Sequence, residues 1–265
     1  MTATAQNQDR TEPEMAVEAN PPKGYLATLL ASRSLAKAPF STLWRAASYV
    51  ALTRAHIPAS FNVAFGNAGF RMRLQKPKPH YGIASIYVQR RYYEPLLEFG
   101  HTLLSPGETV IDGGASQGIY TCAFAAKVGP SGRVYAFKPL AYAVECLRNN
   151  ITLNGFENVE VFEGALDEKA GKSFIDMTRG PAYASIVHDF GHGSGTEVAT
   201  FAIDELRRDG RLSKLDFIKL GVEGAELAAL KGARDTIGHD KPRLAWKRTR
   251  AKSSSPSQAS SRPSN

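Results

Sequence analysis

The residues with the clearest chemical potential lie in Thr109–Gly129, TVIDGGASQGIYTCAFAAKVG, where Asp112, Gly114 and Gly118 are spaced D-x-G-A-x-x-G. Thr109, Val110 and Ile111 read as a short buried strand that Asp112 closes, and Gly113, Gly114 and Gly118 make the turn. Ile119, Tyr120, Cys122, Ala123, Ala126 and Lys127 then fall at helical spacing. A strand that runs through glycines into a helix turns unpaired backbone N–H groups toward a ligand, and the helix dipole favours negative charge there. Glycine is needed where a Cβ would block that approach or forbid the turn. The chemistry implied is the grip on a nucleotide-type cofactor. A dinucleotide fingerprint, G-x-G-x-x-G, laid on Gly113 fails at its third position, Ala115. The competing reading is an ordinary strand–helix turn, because short glycine patterns recur by chance.

The elements that must position this loop follow from the rest of the chain. At 265 residues and 43% hydrophobic content, one full-sized core is expected, with tails. Residues 1–22 are polar with a Pro-Pro step and read as a disordered tail. Residues 23–104 read as a cap of helices and a hairpin, 105–247 as the cofactor-binding domain, and 248–265 as a basic Ser/Pro-rich disordered tail. Within the cap, 25–54 gives two helices broken before Pro39. Ser41 is the expected N-cap of the second, and Leu43, Trp44, Ala47, Val50 and Ala51 form its apolar stripe. The favoured reading packs these helices on the domain; the sharper alternative lays them in a membrane surface. Phe61–Leu74 alternates around Gly66-Asn67-Ala68-Gly69 as a hairpin, and 87–104 reads as mostly helical.

Beyond the glycine turn, strands and helices alternate. Strands are expected at Arg133–Phe137, Val159–Phe162, Glu197–Ala202, Phe217–Leu220 and Arg243–Trp246, with an extra edge strand at Lys172–Asp176. Helices are expected at Ala141–Asn154, Ile203–Asp209 and Ala225–Ile237. This order implies an α/β fold with a mostly parallel sheet and helices on both faces.

Charge and cysteine content narrow the function classes. The net charge of +8 divides unevenly: 1–110 holds 12 Lys and Arg against 7 Asp and Glu, 111–240 holds 14 against 18, and 241–265 holds 7 against none. The excess lies in the flanks, so no dedicated nucleic-acid partner is expected. Cys122 and Cys146 give neither a disulfide framework nor metal spacing, so a reducing, cytoplasmic setting and no metal are expected. No run approaches the roughly 18 apolar residues that suggest a membrane span.

The pattern from Asp112 to Gly118 resembles motif I of the S-adenosylmethionine-dependent methyltransferases. Three further stretches follow it in order: VYAFKP at 134–139, NNITLNGFENVEVFEGAL at 149–166 and LDFIKLGVEGAELAALKGA at 215–233. Together with the lead-in YVQRRYYEPLLEF at 87–99, they are similar to the FkbM family of methyltransferases over about residues 60–245. The resemblance implies a Rossmann-like class I fold, S-adenosylmethionine as cofactor, and methyl transfer to a hydroxyl of a small molecule, sugar or lipid. By position it implies that Asp112, Gly114, Ser116 and Gly118 hold the methionine end. Lys138 then stands at the ribose, Asp167 near the adenine, and Glu223 as the carboxylate that orients or deprotonates substrate. Glu223 could equally be a helix-start acid favoured by the dipole. Glu94 reads more readily as a surface acid than as support for the loop, and His188 and His192 as solvated loop residues.

Three departures from the family pattern bear on activity. Lys138 replaces the acid that grips the ribose hydroxyls; an ammonium can only donate hydrogen bonds. The expected loss is about 1 kcal/mol or more per charge-assisted bond. Gly221 stands where the family has an acid in KIDVEG, and Lys247 follows Trp246 where it tends to have another. After Trp246 the chain is basic, then Ser/Pro-rich, without apolar period. The closing C-terminal hairpin of the class is therefore expected to be missing, as in a truncated or frame-shifted relative, leaving an exposed sheet edge open to oligomerisation. Two rivals remain: a catalytically inactive relic acting as a binding protein, and an NADP-dependent oxidoreductase with Lys138 on the 2′-phosphate.

Overall fold

A computed structural model describes residues 25–74, 82–176, 185–187, 195–222 and 224–246. It begins with three helices, α1 (Tyr25–Leu30), α2 (Arg33–Lys37) and α3 (Pro39–Arg54), not two. The Ser32 hydroxyl accepts from the Leu35 N–H and starts α2, while Pro39 opens α3 with Ala38 before it. Ser41 is therefore not a cap; its hydroxyl donates back to the Ala38 carbonyl. The stripe assigned to α3 also faces the other way. Leu43, Trp44, Ala47 and Ala51 are exposed, whereas Thr42 is buried and Ala46, Tyr49 and Leu52 pack on the core. Specific contacts select that inward face: Thr42 Oγ1 donates to the Ser34 carbonyl at 2.9 Å, and the Ser48 and Tyr87 hydroxyls meet at 3.1 Å.

Strands β1 (Ala59–Phe65) and β2 (Ala68–Leu74) form the expected hairpin, in register from Ala59 opposite Leu74 to Phe65 opposite Ala68. Alternation buries Phe61, Val63, Phe65, Phe70, Met72 and Leu74 on one face. The segment expected to be one mostly helical stretch is broken into α4 (Ile83–Gln89), a 3-10 turn, α5 (Pro95–Phe99) and a second 3-10 turn. Arg90 adopts φ +54°, and Pro95 has no N–H to continue a helix, so the ladder cannot pass through either.

The cofactor-domain elements then run β3 (Thr109–Gly113), α6 (Ile119–Val128), β4 (Arg133–Phe137), α7 (Ala141–Asn154) and β5 (Val159–Phe162). Next come β6 (Ala165–Leu166), β7 (Gly171–Asp176), β8 (Ser185–Val187), β9 (Gly195–Phe201) and α8 (Ile203–Arg208). The described chain finishes with β10 (Phe217–Leu220), α9 (Glu226–Lys231), α10 (Arg234–Asp240) and β11 (Arg243–Trp246). A five-stranded, all-parallel sheet has the order β11-β10-β3-β4-β5. Its residues alternate between two cores. Val110, Val134 and Phe217 join α6 and the hairpin on one face, and Ile111, Tyr135 and Ile218 join Leu206, Ala229 and Ala233 on the other. The glycine turn thus follows the middle strand, in the crevice at the carboxyl ends where such sheets hold ligands.

A second sheet has the order β6-β9-β7-β8, so β7 is flanked on both sides and is not an edge strand. The helix expected from Ala225 to Ile237 is two helices. At Gly232 a Cβ would come within 2.1 Å of the Asp167 carbonyl oxygen, and the Gly232 carbonyl accepts from the Asp204 N–H. Asp204 then restarts the helix, its carboxylate accepting from the N–H groups of Asp235 and Thr236 at 3.0 and 2.8 Å. Asp204→Ala is expected to cost about 1–2 kcal/mol, as loss of an N-terminal cap does, and to lower the urea midpoint. An unchanged midpoint would show that water serves those groups equally well.

Candidate active site

Asp112, next to last in the middle strand, is fully buried and lies directly beside Lys219 of β10 in the parallel register. Thr121 Oγ1 donates to its Oδ2 at 2.7 Å, and Lys219 Nζ donates to its Oδ1 at 2.9 Å. The same ammonium reaches the carbonyls of Gly113 and Gly114, each at 3.2 Å, which accounts for its three donors. A buried charge pair is tolerable here because every strong donor is matched. Asp112 therefore lies beneath the loop and holds it in shape.

The loop's own bonds differ from the expected open ring of donors. The N–H groups of Gly114 and Ala115 both donate to the Phe137 carbonyl, at 3.1 and 3.0 Å, and the Gly118 N–H donates to the Ala115 carbonyl at 2.8 Å. Among the described residues, the N–H groups of Ser116 and Gln117 lie outside this backbone network. Gly114 has φ +76°, and a Cβ there would stand 2.1 Å from the Gly221 carbonyl oxygen. Ser116 also adopts a left-handed φ, +52°, and with Gly114 it is a half-exposed position of the turn. A non-glycine residue held there marks a backbone the surroundings have fixed.

Sequence reasoning missed a second support. Asn150 of α7 is fully buried; its Nδ2 donates to the Gln117 carbonyl and its Oδ1 accepts from the Arg73 N–H, both at 2.8 Å. It thereby ties the loop to the hairpin. The only sequence signal for it was the NNITLNG phrase itself. The Gln117 side chain is buried, and its Oε1 has no partner among the described residues.

Two of the departures sit on either side of the turn. Lys138 follows the Phe137 carbonyl that the loop grips, and is half-buried. Gly221 donates its N–H to the Gly113 carbonyl at 2.9 Å, and a Cβ on it would lie 2.9 Å from Lys219 Nζ. So Asp112, Gly114, Ser116, Gly118, Lys138 and Gly221 gather at the carboxyl ends of β10, β3 and β4. Asp167 lies farther out, after β6. It is buried, its N–H bonds the Phe201 carbonyl, and its carboxylate accepts from the Glu168 N–H at 2.7 Å. Glu223, His188 and His192 lie outside the described residues.

On the β10 and β11 side of the turn opens a cleft of about 640 Å³. Its walls are mostly apolar, with Leu96, Phe99, Leu103, Leu220, Leu244 and Trp246, and its polar groups include Glu94, Tyr120 and Lys219. Glu94 is half-buried and accepts from the Tyr120 hydroxyl at 2.5 Å, so it is not the surface acid expected from sequence. Burial first, and the Glu94 carboxylate second, push the Tyr120 hydroxyl far above its ordinary range, and it stays protonated as the donor. At the turn, the half-exposed Ser116 and the orphaned Gln117 oxygen fit a polar cofactor end. Lys138, at the position the resemblance gives to the sugar, does not match two donating hydroxyls.

This parallel sheet, with its order and its glycine turn after the middle strand, defines a Rossmann-like α/β protein of the nucleotide-cofactor class. The Methyltransferase FkbM domain model matches residues 112–256, more than half of the chain, and the chain belongs to that methyltransferase family. The resemblance read from the four sequence stretches is thereby met. Among similar proteins, methyltransferase sdnD of Sordaria araneosa is 25% identical over 186 residues, 58% of this chain and 71% of that protein. A ribosomal protein L11 methyltransferase of Caldanaerobacter subterraneus subsp. tengcongensis is 41% identical over 70 residues, 26% of this chain and 22% of that protein. The crystal structure of methyltransferase FkbM from Methylobacillus flagellatus KT aligns at 23% identity and a TM-score of 0.39, over 63% of this chain and 44% of that one. The chain thus spans less than half of that structure and about a fifth of the L11 methyltransferase. Among the described residues, no helix is long and apolar enough to cross a membrane.

Proposed function

We propose that this chain transfers a methyl group from S-adenosylmethionine to a hydroxyl of an apolar small molecule or lipid, with weakened hold on the cofactor. The observation that carries the reading is an apolar cleft holding Glu94, Tyr120 and Lys219, the last of which also bonds Asp112 and the carbonyls of the glycine turn. The cofactor supplies an electrophilic methyl group; the protein's share is alignment and removal of a proton. Gly114, Ser116 and Gly118 shape the turn for the methionine end, and Asp112 with Lys219 fixes it from below. Lys138 faces the sugar with donors only. Asp167 is assigned to the adenine end and Glu223 to the substrate proton. Glu94 is a further carboxylate at the cleft, and the Tyr120 bond fixes its position. The apolar walls favour a lipid or polyketide-like acceptor over a sugar, whose many hydroxyls would go unpaired there.

Calorimetric titration with S-adenosylhomocysteine tests this. Weak binding is expected for the wild type, and Lys138→Glu is expected to bind about tenfold tighter, the worth of roughly one charge-assisted bond. Absence of binding to both proteins at millimolar concentration would favour the non-catalytic relic. Binding of NADP in its place would favour the oxidoreductase.

A further inference from the structure

Helix α3 carries an apolar ridge on its outer face. Phe40 is 89% exposed, Trp44 74% and Leu43 53%, and Ala47 and Ala51 continue the line at helical spacing. Large side chains so placed on one face mark a contact surface more often than chance. Along the chain the charge around them has a single sign, though Glu98 meets it in space. From Ala19 to Tyr93 the sequence holds eleven Lys and Arg and no Asp or Glu. Arg33 and Lys37 reach forward to Glu98, at 2.6 and 3.2 Å. Arg45, next to Trp44, donates to the Val88 carbonyl, and Arg54 is exposed at the end of the ridge. Arg90 lies against the rings of Phe61 and Tyr87, with one Nη lacking an acceptor among the described residues. Its pKa is lowered to about 10, by burial first and by Arg45 second, as befits cations without a local acid.

We propose that this module seats the α3 ridge on an anionic lipid surface, with Phe40, Leu43 and Trp44 entering the headgroup boundary. Arg54, exposed at the end of the ridge, then faces lipid phosphates, with Arg33 and Lys37, 40% and 50% exposed though shared with Glu98, as the further cations available. An aromatic and aliphatic ridge bordered by cations is the pattern of helices that lie in the interface plane, and each cation adds attraction to an anionic leaflet. Charge argues against a second copy as the occupant, since it would bring the same positive module to the contact. A nucleic acid is disfavoured because the exposed line from Phe40 to Ala51 carries no Lys or Arg.

The test is co-sedimentation of the full chain with vesicles, without cofactor or substrate, so that it stands apart from the methyltransferase reading. Pelleting with phosphatidylcholine/phosphatidylglycerol vesicles is expected, with little on phosphatidylcholine alone and a decline as salt rises. The triple variant F40S/L43S/W44S should lower the partition coefficient at least tenfold, by removal of three apolar groups, while melting at the wild-type temperature. In a Trp246→Phe background, Trp44 is the remaining tryptophan of two, and its emission should shift to the blue on anionic vesicles alone. The proposal is overturned if nothing pellets, if the triple variant pellets as the wild type does, or if Trp44 emission does not move. It is equally overturned if Trp44 resists acrylamide before vesicles are added, because the ridge would then be covered by residues 1–24 or by a second copy.

Discussion

Lys219→Met is expected to destabilise the protein by about 3–5 kcal/mol, the usual cost of removing one member of a buried ion pair. The cost arises from what stays behind. Asp112 is fully buried, and without Lys219 its Oδ1 loses the 2.9 Å donor that matched it. Gly113 and Gly114 lose a donor to their carbonyls at the same time. The ammonium therefore joins β10 to both the strand end and the turn, and its loss should loosen the turn before the sheet. Urea unfolding gives the stability term, and the Lys219→Met/Asp112→Asn double variant separates the pair from its surroundings. Residues in direct contact couple by about 0.5–3 kcal/mol, so the double variant should be less damaged than the sum of the singles. A single variant within about 1 kcal/mol of wild type would show that water enters and replaces the ammonium.

That pair also gives Gly221 a meaning beyond a missing acid. With no side chain at 221, the Lys219 ammonium occupies the space a Cβ would approach, 2.9 Å away, and turns wholly onto Asp112 and the loop carbonyls. A carboxylate at 221 would compete for the same ammonium. The chain thus has a tightly braced turn and one fewer charged group facing the crevice.

Much of this was legible because parallel central strands announce themselves. Val110, Ile111, Phe217 and Ile218 form short apolar runs, and the glycines between strand and helix fix the order of the elements. What could not be read was the face a helix turns inward. Leu43, Trp44 and Ala47 look like a core stripe by period alone, yet α3 packs through Thr42, Tyr49 and Leu52 because Ser34 in the preceding helix, and Tyr87 and Val88 much farther along the chain, offer partners. The same limit hid Asn150 and the Asp204 cap, whose roles depend on backbone groups 33 and 32 positions away in sequence. Glu94 was misplaced because its burial depends on Tyr120, in the helix after the turn. Local pattern sets the elements; long-range polar partners choose their orientation.

Gly114→Ala is expected to cost about 2–5 kcal/mol and to abolish S-adenosylhomocysteine binding, through two effects that can be separated. A left-handed φ of +76° disfavours any Cβ by about 1–2 kcal/mol. The second effect is the 2.1 Å approach to the Gly221 carbonyl oxygen, which is main chain and cannot rotate away. Relief requires the β3 turn and the β10 exit to part, with strain of about 1–3 kcal/mol, as for other overpacked sites. Parting them also strains the Gly221 N–H bond to Gly113 and shifts the carbonyls that Lys219 holds. Gly210 supplies the control: its φ is +70°, yet a Cβ there meets nothing within 4 Å. Gly210→Ala should therefore show the backbone term alone, about 1–2 kcal/mol, with ligand binding intact. Equal losses in the two variants would mean that conformation, not close approach, reserves position 114 for glycine. The turn would then have room that the present geometry denies it.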